Sequence, residues 1–271
     1  MRDNSFRRAV YTAVGITLLA VMLFPVYWMI NASLQPSGNT LSADFFPLDP
    51  SFAGYERALR EQGANLVTSM VIALGTVAFS LAVAAPCAYA LAQFRFRWVG
   101  AALLAILVSQ MIPGIVIANA LYTAYEELGL LNSIPGLILA NSTSAIPFAI
   151  LIMRSFMLAL PPSIVEAARV DGAGQFRAFL SIVVPVSRNS LVTAGLFTFL
   201  FSWSDFLFAL TLTTESNVRP VTLGIYEYLG TQVQNWGAVM ATAVLSAIPA
   251  IVLLIGAQKF ITAGAAGGAV K

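Results

Sequence analysis

The 271-residue sequence contains no histidine and a single cysteine, Cys87. Without histidine there is no imidazole to ligate a metal, shuttle a proton or complete a nucleophile–histidine–acid triad. One cysteine makes no internal disulfide, and the redox compartment stays open. No G-x-x-x-x-G-K-[ST] stretch occurs, so the chain is not expected to hold ATP through a P-loop. Charge is scarce as well. Asp, Glu, Lys and Arg make up 10% of the residues, whereas ordinary soluble domains carry about 25%. Hydrophobic residues make up 59%, and the mean hydropathy is +0.84. A chain this apolar is an integral membrane protein. At a net charge of +2, the placement of the charges matters more than their sum, and no nucleic-acid partner is expected.

Long uncharged runs divide the chain. Arg2, Arg7 and Arg8 precede an apolar stretch from Ala9 to Ile30. It is too long for the 7–15-residue core of a cleaved signal, so a retained first helix is expected. Asn31 to Gln62 has Pro36, Pro47, Pro50 and several acids. It reads as an aqueous segment with one short amphipathic helix around Gly54–Leu59. Further spans are expected at Gln62–Phe94, Trp98–Tyr125, Leu128–Met153, Asn189–Thr214 and Tyr228–Gln258, each exceeding the roughly 20 residues a crossing needs. The fold class is therefore all-α, with six transmembrane helices in a single domain over 1–271. Pro113-Gly114 and Pro147 are expected to kink or break their helices. The Gly/Ala-rich Ile261–Lys271 reads as flexible.

Basic residues orient the spans. With the N-terminus inside, Arg2, Arg7, Arg8, Arg95, Arg97, Arg154, Arg169, Arg177, Arg188, Lys259 and Lys271 face the cytoplasm. Only Arg57, Arg60 and Arg219 face out. This bias predicts both termini in the cytoplasm, in an inner-membrane protein that crosses several times.

The polar stretch Pro161–Pro185 then falls on the cytoplasmic side. Pro161-Pro162 stops the preceding span. Ser163 and Glu166 have capping-box spacing, a helix is expected over Ile164–Asp171, and Gly172 suits a helix C′ position. From Gln175 to Val184 the apolar residues Phe176, Phe179, Leu180 and Val183 share helical spacing, and Pro185 should close that helix.

The same stretch carries a family resemblance. Glu166-Ala167-Ala168, three residues, Gly172, nine residues, Ile182, then Val183-Val184-Pro185 resembles the E-A-A, x3, G, x9, I, x, L-P loop of binding-protein-dependent ABC importers, departing from it only at Val184. Leu23–Met29, Pro147-Phe148 and Trp203–Leu210 resemble importers of the maltose type, as does the terminal Gly268-Ala269-Val270-Lys271. The resemblance spans nearly the whole chain. It implies a non-catalytic permease subunit, for a sugar or oligosaccharide or for another solute, working with a second permease subunit, two ATPase subunits and an extracytoplasmic solute-binding protein. ATP and Mg would sit on the ATPases and no cofactor on this chain. Residues 161–185 would be the cytoplasmic coupling loop, with Glu166, Ala167, Ala168, Asp171, Gly172, Ile182 and Pro185 at the ATPase. Glu166 could equally be only half of a capping box.

Polar residues inside the spans are candidates for the translocation path. Asn141, Ser142, Thr143 and Ser144 interrupt the fourth span, and Gln110 and Asn119 the third. They either join helices by hydrogen bonds or offer hydroxyls and amides to a solute. Thr198, Ser202 and Asp205 fall at i, i+4 and i+7, one stripe of a helix. Asp205 is the one ionisable residue within a span, either lining the outer path or simply reaching water or capping a helix. A secondary transporter would need coupling-ion ligands at mid-membrane. An intramembrane enzyme would need a catalytic pair. Neither constellation is present.

Overall fold

A computed structural model describes residues 3–35, 44–94, 96–215, 217–230 and 236–269. Arg2, Arg95 and Lys271 of the charge count lie outside these residues. The described residues are helical with no strand. In chain order the helices are α1 (Asp3–Ser33), α2 (Ala53–Gln93), α3 (Val99–Ser109), α4 (Gly114–Leu128), α5 (Ile134–Met157), α6 (Pro162–Val170) and α7 (Gln175–Ala178). A π-helical turn (Phe179–Val183) leads into α8 (Val184–Val186), α9 (Arg188–Trp203), α10 (Leu207–Leu212), α11 (Val221–Gly230) and α12 (Trp236–Ala269).

Four of these are long and apolar enough to cross a bilayer: Arg7–Ser33, Ala53–Gln93, Ile134–Met157 and Trp236–Phe260. Two bent pairs bring the number to six if each counts as one span: α3 with α4, bent by 91°, and Gln175–Val186 with α9, bent by 78°. The all-α membrane architecture expected from composition is what folds.

Several boundaries differ from the sequence reading. The amphipathic segment around Gly54–Leu59 is no separate helix but the first turns of α2. Its charges pair along the helix, Arg57 Nε with Glu61 Oε1 at 2.8 Å, so leaving the apolar run does not end the helix. Pro147 lies inside an unbroken α5, as Pro25, Pro86 and Pro249 lie inside α1, α2 and α12. Pro113 does mark a break, between α3 and α4. The C-terminal Gly/Ala run continues α12 as far as Ala269; Val270 and Lys271 lie outside the described residues. The fifth expected span ends early: α9 stops at Trp203, and α10 starts anew at Leu207.

The chain gathers into two compact units, 1–63 with 225–248 and 64–224 with 249–271. In the first, small residues let helices approach closely. A Cβ built on Gly54 would stand 2.9 Å from the carbonyl carbon of Gly237. Ala58, Ala238, Ala241 and Thr242 are fully buried there. Ser33 Oγ lies 2.7 Å from the Tyr55 hydroxyl, and the Tyr228 hydroxyl donates to Glu61 Oε2 at 2.7 Å.

The second unit is built on α2 and α5. Ser80 meets Ser142, Leu91 meets Arg154 and Gln93 meets Met157, at sequence separations of 62, 63 and 64. A near-constant offset means that the two helices run side by side in the same direction. Parallel neighbours need a return crossing between them. The intervening chain is α3 and α4, so this bent pair supplies it. α5 and α9 instead run antiparallel. Phe148 stacks edge-on against Phe201 with centroids 5.0 Å apart, while Ile150 and Met153, further along α5, share a core with Ala194, earlier on α9.

Candidate coupling loop and intramembrane cleft

The segment between α5 and α9 is a folded helical loop. Pro161 takes the N-cap position of α6 with an extended backbone, and Pro162 opens the helix. Proline suits the first turn because its missing N–H has no helical partner there. Ser163 is thereby pushed into the helix, and no side chain caps the start. The expected Ser163–Glu166 capping box does not form. Glu166 is exposed and makes no side-chain hydrogen bond or ion pair among the described residues. Ala167 is exposed beside it, and Ala168 is half-buried.

The end of α6 is a Schellman motif. Ala173 N–H donates to Ala168 O at 2.9 Å and Gly172 N–H to Arg169 O at 3.1 Å. Asp171 is the C-cap, and Gly172 takes a φ of +88°. This is the conformation the sequence assigned to Gly172.

After the turn, the helix from Gln175 changes gauge. Val184 N–H bonds back to Phe179 O, five residues behind. The wider turn carries Pro185, whose ring would clash with the carbonyl four residues back in a regular α-helix. So Pro185 does not close the helix, which runs on through Val186. The wider turn also divides the expected apolar stripe. Phe179 and Val183 are buried, whereas Phe176 is 74% exposed and Leu180 48%. Ile182 is half-buried and lines a small crevice with Leu160, Ile164, Val165 and Val186, which seats α6 on the second half of the loop.

An apolar core anchors the loop to the helices. Ala88 and Leu91 of α2, Met153 and Met157 of α5, and Phe179 and Val183 are buried together, with Leu160, Val165 and Val184 packed against them.

A cleft of about 330 Å³ lies about 20 Å along α5 from the loop, counting the 13 residues from Ser144 to Met157 at 1.5 Å each. It is lined by Gln110, Asn141, Ser144, Phe148, Phe201, Ser204, Asp205 and Phe208. Both interrupted spans open into it, Gln110 at the α3–α4 break and Ser204-Asp205 at the α9–α10 break. Non-helical backbone is tolerated at membrane depth where it lines such a cavity. Asp205 turns its carboxylate back onto α10: Oδ1 accepts from Phe208 N–H and Oδ2 from Ala209 N–H, each at 3.2 Å. Its own carbonyl accepts from the Thr222 hydroxyl at 2.7 Å.

The candidate path residues separate into two groups. Asn141, Ser144 and Asp205 meet at the cleft. Ser142 is buried against α2, accepting from Ser80 Oγ at 3.2 Å. Ser202 likewise donates to Thr76 Oγ1 at 3.2 Å, and Thr198 is fully buried. Thr143 is exposed and bonds its own helix at Ala140 O. The expected stripe of Thr198, Ser202 and Asp205 is thus split by the end of α9. Asn119 lines no part of the cleft. Phe148, Phe201, Ser204 and Phe208 were not singled out as lining residues. Their signal was weak, because a phenylalanine within an apolar span looks like any other lipid-facing or core residue.

Known proteins resemble this chain along its length. The trehalose transport system permease protein SugB of Mycobacterium tuberculosis is 33% identical over 98% of both chains. A probable ABC transporter permease of Sinorhizobium fredii is 35% identical over 99% of this chain and 98% of its own. The diacetylchitobiose uptake permease DasC of Streptomyces coelicolor is 29% identical over the whole of both. Among solved structures, a bacterial ABC transporter involved in the import of the acidic polysaccharide alginate superposes with a TM-score of 0.81, covering 96% of this chain and 98% of its own at 22% identity, which supports the fold. The model of the binding-protein-dependent transport system inner membrane component matches residues 80–265, and the chain belongs to that family of ABC transporter permeases.

Proposed function

We propose that this chain is one permease subunit of an ATP-driven importer for a sugar or oligosaccharide. The observation that carries the reading is the exposed helical loop Pro161–Val186, packed on α2, α5 and α9, with the exposed carboxylate of Glu166, unpaired among the described residues, on its surface. Such a loop is shaped to fit a cleft on another protein. The chain acts as a single transmembrane domain over 1–271 beside a second permease subunit. Two ATPase subunits hold the loops, with Glu166, Ala167, Ala168, Asp171, Gly172, Ile182 and Pro185 forming or shaping the contact surface. ATP and Mg reside on those subunits, and this subunit is not itself an enzyme. ATP binding favours the closed ATPase dimer, and the difference in its affinity for the two permease states drives the helices from inward- to outward-facing. An extracytoplasmic binding protein supplies the solute.

Two observations support a saccharide. The cleft presents amides, hydroxyls and one carboxylate between phenylalanine faces, the donors, acceptors and stacking surfaces that a polyol ring uses. Relatives are named for trehalose and diacetylchitobiose. The test is reconstitution of the four-component importer in proteoliposomes with labelled disaccharide. Accumulation that requires both ATP and the binding protein is expected. Uptake driven by an ion gradient without the ATPases would overturn the reading.

The orientation rests on the basic residues, with both termini and the loop in the cytoplasm. Single cysteines at Gln175 and Asn217 in a Cys87→Ser background report it. A membrane-impermeant thiol reagent applied to intact cells is expected to label position 217 and leave 175 untouched. The opposite pattern would invert the topology.

A further inference from the structure

The ends of α2 and α5 hold each other through side chains. The last carbonyls of any helix have no partner within it. Arg154, in the last turn of α5, donates from Nε to Leu91 O, in the last turn of α2, at 3.1 Å. Gln93, the last residue of α2, donates from Nε2 to Met157 O at 2.7 Å and to Leu160 O at 3.3 Å. Met157 ends α5, and Leu160 immediately precedes the N-cap residue of α6. Each helix therefore caps the other, and Gln93 reaches past α5 to the start of the loop.

The connectivity gives this clamp its importance. The loop is covalently continuous with α5 and α9 only; α2 leaves at Phe94 in another direction. Apolar contacts, such as Tyr89 on Phe179 at 5.5 Å, also join α2 to the loop. But packed helices can slide past one another by small shear movements. Hydrogen bonds to particular carbonyls fix the register. Along α2, Thr76 and Ser80 bond Ser202 and Ser142, next to the residues of the cleft.

We infer that Gln93 and Arg154 are positioning residues for transport, which make α2 follow the loop together with α5. The inference rests on the proposed coupling of the loop to an ATPase. A displacement at the loop then moves two parallel helices in register: α5 lines the cleft, and α2 bonds Ser142 and Ser202 beside it. Without the clamp, α5 and α9 move and α2 lags.

The measurement is solute transported per ATP hydrolysed in the reconstituted importer. Gln93→Leu keeps the volume and removes both donors. It is expected to assemble at normal abundance, to hydrolyse ATP, and to transport on the order of fivefold less solute per ATP, within the range seen when coupling positions are altered. Arg154→Met, which keeps the aliphatic stem and has no donor, should lower the ratio likewise, and Arg154→Lys, which keeps a long donor, should restore it. A purely structural role would reduce uptake and hydrolysis together at a constant ratio, and that result overturns the inference. If Gln93→Leu does not assemble, the Arg154 pair decides: equal ratios in Arg154→Met and the unsubstituted importer reject the clamp. An unsubstituted importer without ATP-dependent uptake would refute the proposed function itself, before any variant is compared, and the inference would fall with it.

Discussion

Glu166→Lys should abolish ATPase binding while leaving this subunit as stable as before. Glu166 is exposed and makes no side-chain bond among the described residues, so its replacement removes no internal interaction seen there. If it contacts a basic residue on the ATPase, the loss is that of a charge-assisted hydrogen bond, about 1.5–3 kcal/mol. That alone weakens binding about 10- to 150-fold, and the reversed charge adds repulsion. Gly172→Val reaches the same end by another route. At a φ of +88° a built Cβ meets nothing within 4 Å, so there is no clash. The cost is conformational, because a β-branched residue is a genuine outlier at positive φ. Relief requires the Schellman turn to unwind, which re-aims α6 relative to the rest of the loop. Both variants should insert, fail to co-purify the ATPase and lose uptake, and Glu166→Lys should melt like the unsubstituted permease. Glu166→Lys co-purifying the ATPase in normal amount would remove that carboxylate from the interface. A lowered melting temperature for Glu166→Lys would show an internal role that the structure lacks.

What could be read in advance follows the range of the forces involved. The loop was legible because its punctuation is local. Two prolines start α6 and a glycine ends it, and each acts through its own backbone. The capping box failed for an equally local reason: Pro161 takes the N-cap and Pro162 the first helical position, which puts Ser163 two residues past the cap. Charge misled at α2. Arg57 and Glu61 mark water, but water does not end a helix, and the helix runs from Ala53 straight into the span. Pro113 marks a break as expected, whereas α5 runs through Pro147 unbroken, since neighbouring helices can satisfy the freed carbonyls. The break after Trp203 was under-read, since it has neither proline nor glycine. Ser204 bonds back to Leu200 O at 2.8 Å and Asp205 forward to α10, the competition by short polar side chains that unsettles helices. The cleft and the α2–α5 clamp were out of reach for a different reason. They depend on which helices lie side by side and in which direction, and a hydropathy pattern holds no such information.

Asp205→Ala should lower uptake several-fold with the complex at normal abundance, and Asp205→Asn much less. The side chain has two duties, which the two substitutions separate. It caps the first turn of α10 through two backbone N–H groups, and it contributes a carboxylate to the cleft wall. Losing the cap costs about 0.5–2 kcal/mol. The Thr222 bond to the carbonyl of residue 205 also holds the break between α9 and α10, and Ala retains it. What Ala should disturb is thus the placement of Ser204 and Phe208, the neighbours in the cleft, rather than the fold of the unit. Asn keeps one acceptor for the cap and adds a donor that a saccharide hydroxyl can use, but it removes the charge. Uptake that falls equally in Asn and Ala would mean that the charge itself matters to the solute. Uptake that falls only in Ala would assign Asp205 to shaping the cleft through its cap. Normal uptake in both, at equal abundance, would show that the cleft around residue 205 lies off the path altogether.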